Sequence, residues 1–191
     1  MAALLREVYP PMSRHVKKHV FGIRHGEAWH NILYSRLGED AYNCFHDTTL
    51  TTNGMDQAAL ANIPEPDLIL VSPLMRALQT ADILWPNTPK VALECLQEYP
   101  QKTQLINKRS PKSMLEELFP LVNFSDLKTE EGQWPRHSPK HDIQRIKYFI
   151  STSPAHIIGI VSHSTWLKYC MTGTLDSEPE LEHCKPYILD L

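Results

Sequence analysis

The sequence predicts an α/β protein, with a mostly parallel sheet between two layers of helices. Short apolar strands alternate with helical segments along the chain, which is the order that builds a parallel sheet. The strongest strand candidates are continuous apolar runs, typical of strands that are buried on both faces. With 191 residues, of which 42% are hydrophobic and 21% charged, the chain fits one domain with a full core.

The first half of the chain supplies three of the predicted strands. Thr52 or Asn53 can cap the first helix. Ser72 and Pro73 are typical of a helix start, with serine as the N-cap and proline at the first helical position. We therefore expect Ser72 to cap its helix rather than to contact substrate. Strands are predicted over 18–23, 67–71 and 90–94, and helices over 51–61 and 73–84.

The second half of the chain contains the least regular segment. Between 98 and 139 five prolines interrupt the sequence, and only 112–119 resembles a helix. We interpret about 99–139 as an insertion that lies over an edge of the sheet. Residues 18–191 would form a single domain, after a poorly ordered leader at 1–17. The remaining elements are predicted as a helix over 141–150, a strand over 156–161, a helix over 165–171 and a final strand over 184–189.

The composition excludes several classes of function. Lysine and arginine number 19 and aspartate and glutamate 22, so the net charge of −3 provides no basic field for a nucleic acid. The four cysteines show no C-x-x-C spacing, which predicts reduced thiols in a cytoplasmic protein. No apolar run is long enough for a membrane span, and the one near the N-terminus is too short for a signal peptide.

Polar and charged side chains follow the predicted strands at the points where they end. Arg24 and His25 follow the first strand, and Arg76 lies shortly after the second. Because ligands of parallel sheets bind outside the carboxyl ends of the strands, we expect two histidines, two arginines and at least one glutamate to meet at one edge. The later strands are followed by Glu94 and Glu98 and by Ser162-His163-Ser164.

These residue types are suited to phosphoryl transfer. Two arginines can hold the oxygens of a phosphoryl group, and an imidazole can attack phosphorus and carry the group covalently. A second histidine can donate to the oxygens as charge develops. A carboxyl group can protonate the leaving oxygen and then activate water. The helix N-termini after Ser72 and His163 would favour an anion, and this chemistry requires neither a metal nor another cofactor.

Five short motifs occur in order between Val20 and Leu167. They are Arg24-His25-Gly26-Glu27 with Asn31, Leu50-Thr51 with Gly54 and Gln57-Ala58, Ser72 to Ala81, Leu96-Gln97-Glu98, and Ser162-His163-Ser164 with Leu167. Each motif alone is weak evidence. Together they resemble the histidine phosphatase superfamily, which implies the phosphoglycerate-mutase-like fold over most of the chain.

The resemblance implies a role for each matching residue. His25 would be the nucleophile that becomes phosphohistidine, and Glu98 would be the general acid and then the base. The substrate would be a small-molecule or peptide phosphomonoester, selected by the irregular segment at 99–139. The phosphate pocket would be formed by Arg24, His25, Arg76 and His163, with a hydrogen bond from Asn31.

The sequence after Glu98 departs from the family's usual pattern. Where the family often continues into a glycine and aromatic stretch, this chain has Tyr99-Pro100-Gln101-Lys102. Glu94 therefore stays open as the alternative acid. The chain also lacks part of the insertion that helps a mutase to retain its intermediate, which favours a phosphatase. A phosphoglycerate-type mutase and a catalytically weak phosphate-binding module are the alternatives.

The remaining histidines and lysines have simpler explanations. His137 and His141 are four residues apart, but Pro139 lies between them, so we expect a solvated surface rather than a metal site. His30 can line the pocket through its position in the first motif. The insertion also contains a basic cluster, formed by Lys102, Lys108, Arg109 and Lys112. This cluster is either part of a solvated loop or a second contact for an anionic substrate.

Overall fold

The computed structural model describes residues 18–99, 104–132, 138–175 and 179–191 and confirms the predicted α/β class. The leader predicted at 1–17 lies outside the described residues. The strands are β1 (His19–Arg24), β2 (Leu68–Val71), β3 (Lys90–Ala92), β4 (Val122–Asn123), β5 (Ile157–Ser162) and β6 (Pro186–Ile188). The helices are α1 (Trp29–Leu37), α2 (Thr52–Leu60), α3 (Met75–Leu84), α4 (Lys112–Leu118), α5 (Pro139–Thr152) and α6 (Ser164–Thr172).

The sheet is parallel except for its last strand. Its order is β4-β3-β2-β5-β1-β6, and β6 runs antiparallel to β1. The two longest strands, β1 and β5, pair in register from His19 opposite Ile157 to Arg24 opposite Ser162. Because β1, β2 and β5 are neighbours and run the same way, their carboxyl ends lie side by side.

Each face of the sheet carries its own apolar core. Along β2, the side chains of Ile69 and Val71 pack into the core beneath α3, whereas that of Leu70 packs into the core beneath α5 and α6. Such alternation with both faces apolar is what a strand covered on both sides requires. The arrangement places one layer of helices on each face, as predicted.

Two expectations from the composition concern cysteines and membrane spans. All four cysteines are free in the structure, and none forms a disulfide. Within the described ranges, no helix is long and apolar enough to cross a membrane.

Three elements differ from the sequence-based expectation. Helix α1 was not predicted because it lacks an apolar stripe: His30 is its one buried residue, whereas Trp29 and Leu37 are 47% and 43% exposed. Strand β4 is two residues long and lies within the segment that has no sequence period. Helix α3 begins at Met75 rather than at Pro73, because the extended Leu74 is its N-cap residue.

The turn after β1 packs closely against the first turn of α2. A Cβ atom on Gly54 would lie 2.0 Å from the carbonyl oxygen of Glu27, and one on Gly26 would lie 2.4 Å from the carbonyl oxygen of Gly54. Neither position has room for a side chain, since both neighbours are backbone atoms. The two glycines therefore set how closely α2 approaches the residues that follow His25.

We predict that Gly54→Ala lowers the free energy of unfolding by about 1–3 kcal/mol, because the added methyl group pushes the backbone of Glu27 away. Urea unfolding followed by circular dichroism measures it. Asn53→Ala, at the neighbouring exposed position of α2, is the matched control. Equal stability of the Gly54→Ala variant and the wild type would contradict the close contact.

Candidate active site

The structure brings the predicted site residues together at one edge of the sheet. Of these residues, Arg24, His25, Asn31, Arg76 and Glu98 line a cavity of about 640 Å³. The imidazole of His163 lies behind the cavity, with its ring centre 5.1 Å from that of His25. These residues come from β1, α1, α3, the segment after β3 and the end of β5.

The imidazole of His25 is held with one nitrogen available to the cavity. Its Nδ1 lies 2.7 Å from the carbonyl oxygen of Gly26, so Nδ1 carries the proton and donates it there. Its Nε2 accepts a hydrogen bond of 3.2 Å from Nε of Arg76. Burial, followed by the charge of Arg76, lowers the pKa of His25 well below its ordinary value. The neutral ring therefore keeps a lone pair on Nε2, which is the state that a nucleophile needs.

The guanidinium of Arg76 is buried and is oriented by acceptors from the irregular segment. Its two terminal nitrogens donate to the carbonyl oxygen of Ile106 and to Oδ1 of Asn107, both at 2.9 Å. Burial lowers the pKa of Arg76 to about 10, so it remains charged at neutral pH. The two acceptors fix the orientation of the guanidinium group, so that its Nε is directed at His25.

The guanidinium of Arg24 contacts the segment before β6. It donates to the carbonyl oxygen of Leu181 at 2.7 Å and pairs with the carboxylate of Glu180 at 2.7 Å. Its Nε is buried and donates to no acceptor among the residues that the structure describes. An oxyanion in the cavity would supply that acceptor, and it would compete with Glu180 for the same guanidinium.

Ser72 contacts His163 and does not cap helix α3. Nε2 of His163 and Oγ of Ser72 form a hydrogen bond of 2.8 Å. The expectation that Ser72 caps α3 was wrong, since Leu74 occupies the cap position. Ser72 instead orients the second histidine from the end of β2.

Glu98 lies in the cavity at the N-terminus of α6. Its carboxylate oxygens accept hydrogen bonds from the backbone N–H groups of Tyr99 at 2.7 Å, Trp166 at 3.1 Å and Thr165 at 3.3 Å. Burial raises its pKa, and these hydrogen bonds and the charge of Arg76 oppose the rise only in part. The carboxyl group is thus fixed in position and keeps its proton to a higher pH than an exposed glutamate.

Glu94, the alternative acid, is engaged outside the cavity. One of its carboxylate oxygens accepts a hydrogen bond of 2.7 Å from Nε of Arg109, and the other accepts from the side chain of Gln97. Glu94 is not among the residues that line the cavity. The geometry therefore favours Glu98 over Glu94 as a group that can reach a substrate.

Of the basic cluster predicted in the insertion, Arg109 does not lie at the surface. Arg109 is fully buried, where it donates to Glu94 and to the carbonyl oxygens of Thr129 and Glu130. Lys112 pairs with Glu116. Both hypotheses for this cluster were wrong for Arg109, which is neither solvated nor directed at the cavity. Lys108 is half-buried, and Lys102 lies outside the described residues.

Two further predicted residues are held by local hydrogen bonds. Oδ1 of Asn31 accepts from the backbone N–H of Ala28 at 2.9 Å and so caps α1, while Asn31 also lines the cavity. His30 is buried beside His25, with their ring centres 6.0 Å apart, and its Nδ1 contacts Oγ1 of Thr48 at 2.6 Å.

No metal site is evident in the parts of the chain that the structure describes. Within them, no group of three or more His, Cys, Asp and Glu side chains is arranged to hold a metal ion. His141 is exposed on α5, as expected for a solvated surface, and His137 lies outside the described residues.

Asp47, Asn107 and His183 also shape the site and were missed in the sequence. Asp47 is buried, with a φ of 43°, and its Oδ1 accepts from the backbone N–H of Met75 at 2.8 Å. Its Oδ2 accepts from the N–H and the hydroxyl of Ser110, both at 2.7 Å. His183 donates from Nδ1 to the carbonyl oxygen of His25 at 2.6 Å. All three lie in loops or in the irregular segment, where no period or motif distinguished them.

A family model and a curated protein match the sequence. The model described as histidine phosphatase superfamily (branch 1) matches residues 20–185. The phosphomutase-like protein 3 of Candida albicans is 27% identical over 182 residues, an alignment that covers 78% of this chain and 56% of the relative. The chain thus spans little more than half the length of that relative.

Solved structures of phosphatases and mutases share the fold. An α-ribazole phosphatase from Shigella flexneri is 19% identical, covers 91% of this chain and 90% of its own, and has a TM-score of 0.54. A phosphoserine phosphatase from Entamoeba histolytica, in complex with phosphoserine, is 22% identical and has a TM-score of 0.54. The match covers 90% of this chain and 94% of the phosphatase. A phosphoglycerate mutase from Thermus thermophilus is 17% identical and has a TM-score of 0.50. The match covers 90% of this chain and 92% of the mutase. The predicted phosphoglycerate-mutase-like fold is confirmed.

We predict that Asp47→Asn lowers the free energy of unfolding by about 1–3 kcal/mol, because either orientation of the amide turns an NH₂ group towards a backbone donor. Asparagine tolerates the positive φ, so the change tests the hydrogen bonds rather than the backbone. Urea unfolding measures the loss, with the exposed Asp56→Asn as the control. Unchanged stability would show that Asp47 does not join α3 to Ser110.

Proposed function

The chain belongs to the histidine phosphatase superfamily (branch 1), and from this membership we propose that it hydrolyses phosphomonoesters through a phosphohistidine intermediate on His25. One observation carries the proposal: the neutral imidazole of His25 presents Nε2 to a cavity that also holds Arg24, Arg76 and Glu98. A nucleophile, two fixed cations and a carboxyl group with a raised pKa are the parts that a double displacement at phosphorus needs.

In the first step, the lone pair of Nε2 of His25 attacks phosphorus. The N–P bond forms as the P–O bond to the alcohol breaks, and the leaving oxygen takes the proton of Glu98. As the lone pair of Nε2 goes to phosphorus, Nε of Arg76 donates to a phosphoryl oxygen instead of to Nε2, while its terminal nitrogens keep their acceptors. The buried Nε of Arg24 provides a further donor.

In the second step, water attacks the phosphorus of phosphohistidine. The Glu98 carboxylate accepts a proton from the water as the new P–O bond forms. The N–P bond breaks, and its electron pair returns to Nε2 of His25. Inorganic phosphate leaves, and Glu98 is again protonated for the next cycle.

The charges of the cavity support hydrolysis over phosphoglycerate-type mutase activity. A mutase must hold a second anionic group of its substrate in addition to the transferred phosphoryl group. Among the described residues that line the cavity, the only lysine or arginine side chains are those of Arg24 and Arg76. The outer part of the cavity carries the carboxylates of Glu39 and Glu180 instead of further positive charges. A non-catalytic phosphate-binding module would need no carboxyl group in the position of Glu98.

We predict that His25→Ala lowers kcat/KM for p-nitrophenyl phosphate by more than about 10³-fold, because no other group supplies the nucleophile. The control is His156→Ala, an exposed histidine at the opposite edge of the sheet. The rate is measured by nitrophenolate release with a chelator present, which we expect to have no effect. Full activity in His25→Ala, or its loss with the chelator alone, would contradict the proposal.

We predict that Glu98→Gln lowers kcat/KM by about 10²–10⁴-fold for glycerol phosphate, whose alkoxide is a poor leaving group, and by much less for p-nitrophenyl phosphate. Thermal unfolding checks that the variant is folded. Glu94→Gln is the matched control, since Glu94 faces Arg109. The reverse pattern in these two variants would identify Glu94 as the acid.

The pH profile of kcat/KM provides a separate prediction. Activity needs Glu98 protonated and His25 neutral, so it falls as pH rises through the raised pKa of Glu98 and falls as pH drops below the lowered pKa of His25. In Glu98→Gln the alkaline limb of the wild-type profile should disappear. An unchanged alkaline limb in that variant would assign it to another group.

A further inference from the structure

An aromatic wall runs outward from His25 along one side of the cavity. The ring centre of His30 lies 6.0 Å from that of His25, and the ring of Tyr42 lies 6.1 Å from that of His30. Tyr34 then stacks on Tyr42 at 5.2 Å, with an angle of 25° between the ring planes. His30, Tyr34 and Tyr42 all line the cavity, and Tyr34 is 46% exposed. The wall thus extends from the buried His25 to solvent.

Two carboxylates flank the outer end of this wall. Glu39 belongs to the 3-10 helix Gly38–Tyr42, and Glu180 belongs to the segment that contacts Arg24. Both line the cavity. Burial raises the pKa of Tyr42 to about 12, and Tyr34, Glu180 and Glu39 add to the rise. Tyr42 therefore stays a neutral ring in a cavity that also carries these two carboxylates.

We propose that this outer part of the cavity, formed by Tyr34, Glu39, Tyr42 and Glu180, binds a cationic nitrogen on the alcohol part of the substrate. The inference rests on the proposed function, because it assigns the leaving-group side of the same site. A quaternary or protonated amine gains from the face of an aromatic ring and from nearby carboxylates. The substrate class is a phosphorylated amino alcohol.

The same surface disfavours the other classes of phosphomonoester. A second phosphate or a carboxylate would lie close to Glu39 and Glu180, and the described lining provides no further lysine or arginine to compensate. An uncharged alkyl group could contact the rings but would gain nothing from Glu39, nor from Glu180 once an oxyanion has displaced it from Arg24. The inner cations and the outer carboxylates together fit a molecule that is anionic at one end and cationic at the other.

The first test compares two substrates of the same shape. Phosphocholine carries a quaternary nitrogen, and dimethylbutyl phosphate carries a carbon atom in its place. We expect kcat/KM for phosphocholine to exceed that for the isostere by about tenfold, and phosphoglycerate to be poorer than both. A ratio of one or less, in an enzyme that hydrolyses p-nitrophenyl phosphate, would overturn the inference and leave the proposed function standing. No hydrolysis of any substrate would overturn both.

The second test alters the wall and its charges. Glu39→Gln should lower the ratio of phosphocholine to isostere about threefold, and Glu39→Lys should reverse the order of phosphocholine and phosphoglycerate. Tyr42→Phe should keep the ratio, because the ring remains, whereas Tyr42→Leu should lower it. Asp40→Asn, a neighbouring exposed carboxylate outside the cavity lining, is the matched control. An equal fall for both substrates in Glu39→Gln would indicate a structural role and overturn the inference.

Discussion

The parallel pairing of β1 with β5 is the constraint on which the site depends. Arg24 lies opposite Ser162 in the register, and the backbone N–H of His25 donates to the carbonyl oxygen of Ser162 at 3.0 Å. This pairing sets the two imidazoles of His25 and His163 next to each other. Because side chains alternate between faces, a slip of one residue would turn Arg24 and His25 to the opposite faces of the sheet. The close contact between Gly26 and Gly54 and the loops that line the cavity lie at this same edge of the sheet, next to the carboxyl ends of β1 and β5.

Burial shifts the pKa values of Glu98, the proposed acid, and His25, the proposed nucleophile, in opposite directions. It lowers the pKa of His25 and raises that of Glu98, since it disfavours the charged form of each. Both shifts favour the uncharged forms, a neutral imidazole and a protonated carboxyl group, which the first step of the proposed reaction requires. Arg76 can remain charged in the same surroundings because Ile106 and Asn107 supply acceptors for its terminal nitrogens. The irregular segment thus contributes to the inner site, and not only to the choice of substrate.

The sequence was informative where function follows a regular element. His25, Arg76 and His163 each lie shortly after a buried apolar strand, and Glu98 follows the short strand β3, so their meeting at one edge could be predicted. Asp47, Asn107 and His183 could not be found in this way, because they lie in loops whose course is set by tertiary hydrogen bonds. Ser72 was misassigned because a serine followed by proline is typical of a helix start, whereas here the chain stays extended to Leu74. Arg109 resembled a solvated cation, yet the carbonyl groups of a distant loop surround it in the core.

The most direct test of the account is the detection of the phosphoryl group on His25. In Glu98→Gln, p-nitrophenyl phosphate can still phosphorylate the enzyme, but the base for the second step is missing. After rapid mixing and an alkaline quench, peptide mass spectrometry should find an acid-labile phosphoryl group on the peptide that contains His25. The same group should be absent from His25→Ala. Turnover of substrate with no phosphorylated His25, or with the phosphoryl group on another residue, would contradict the account.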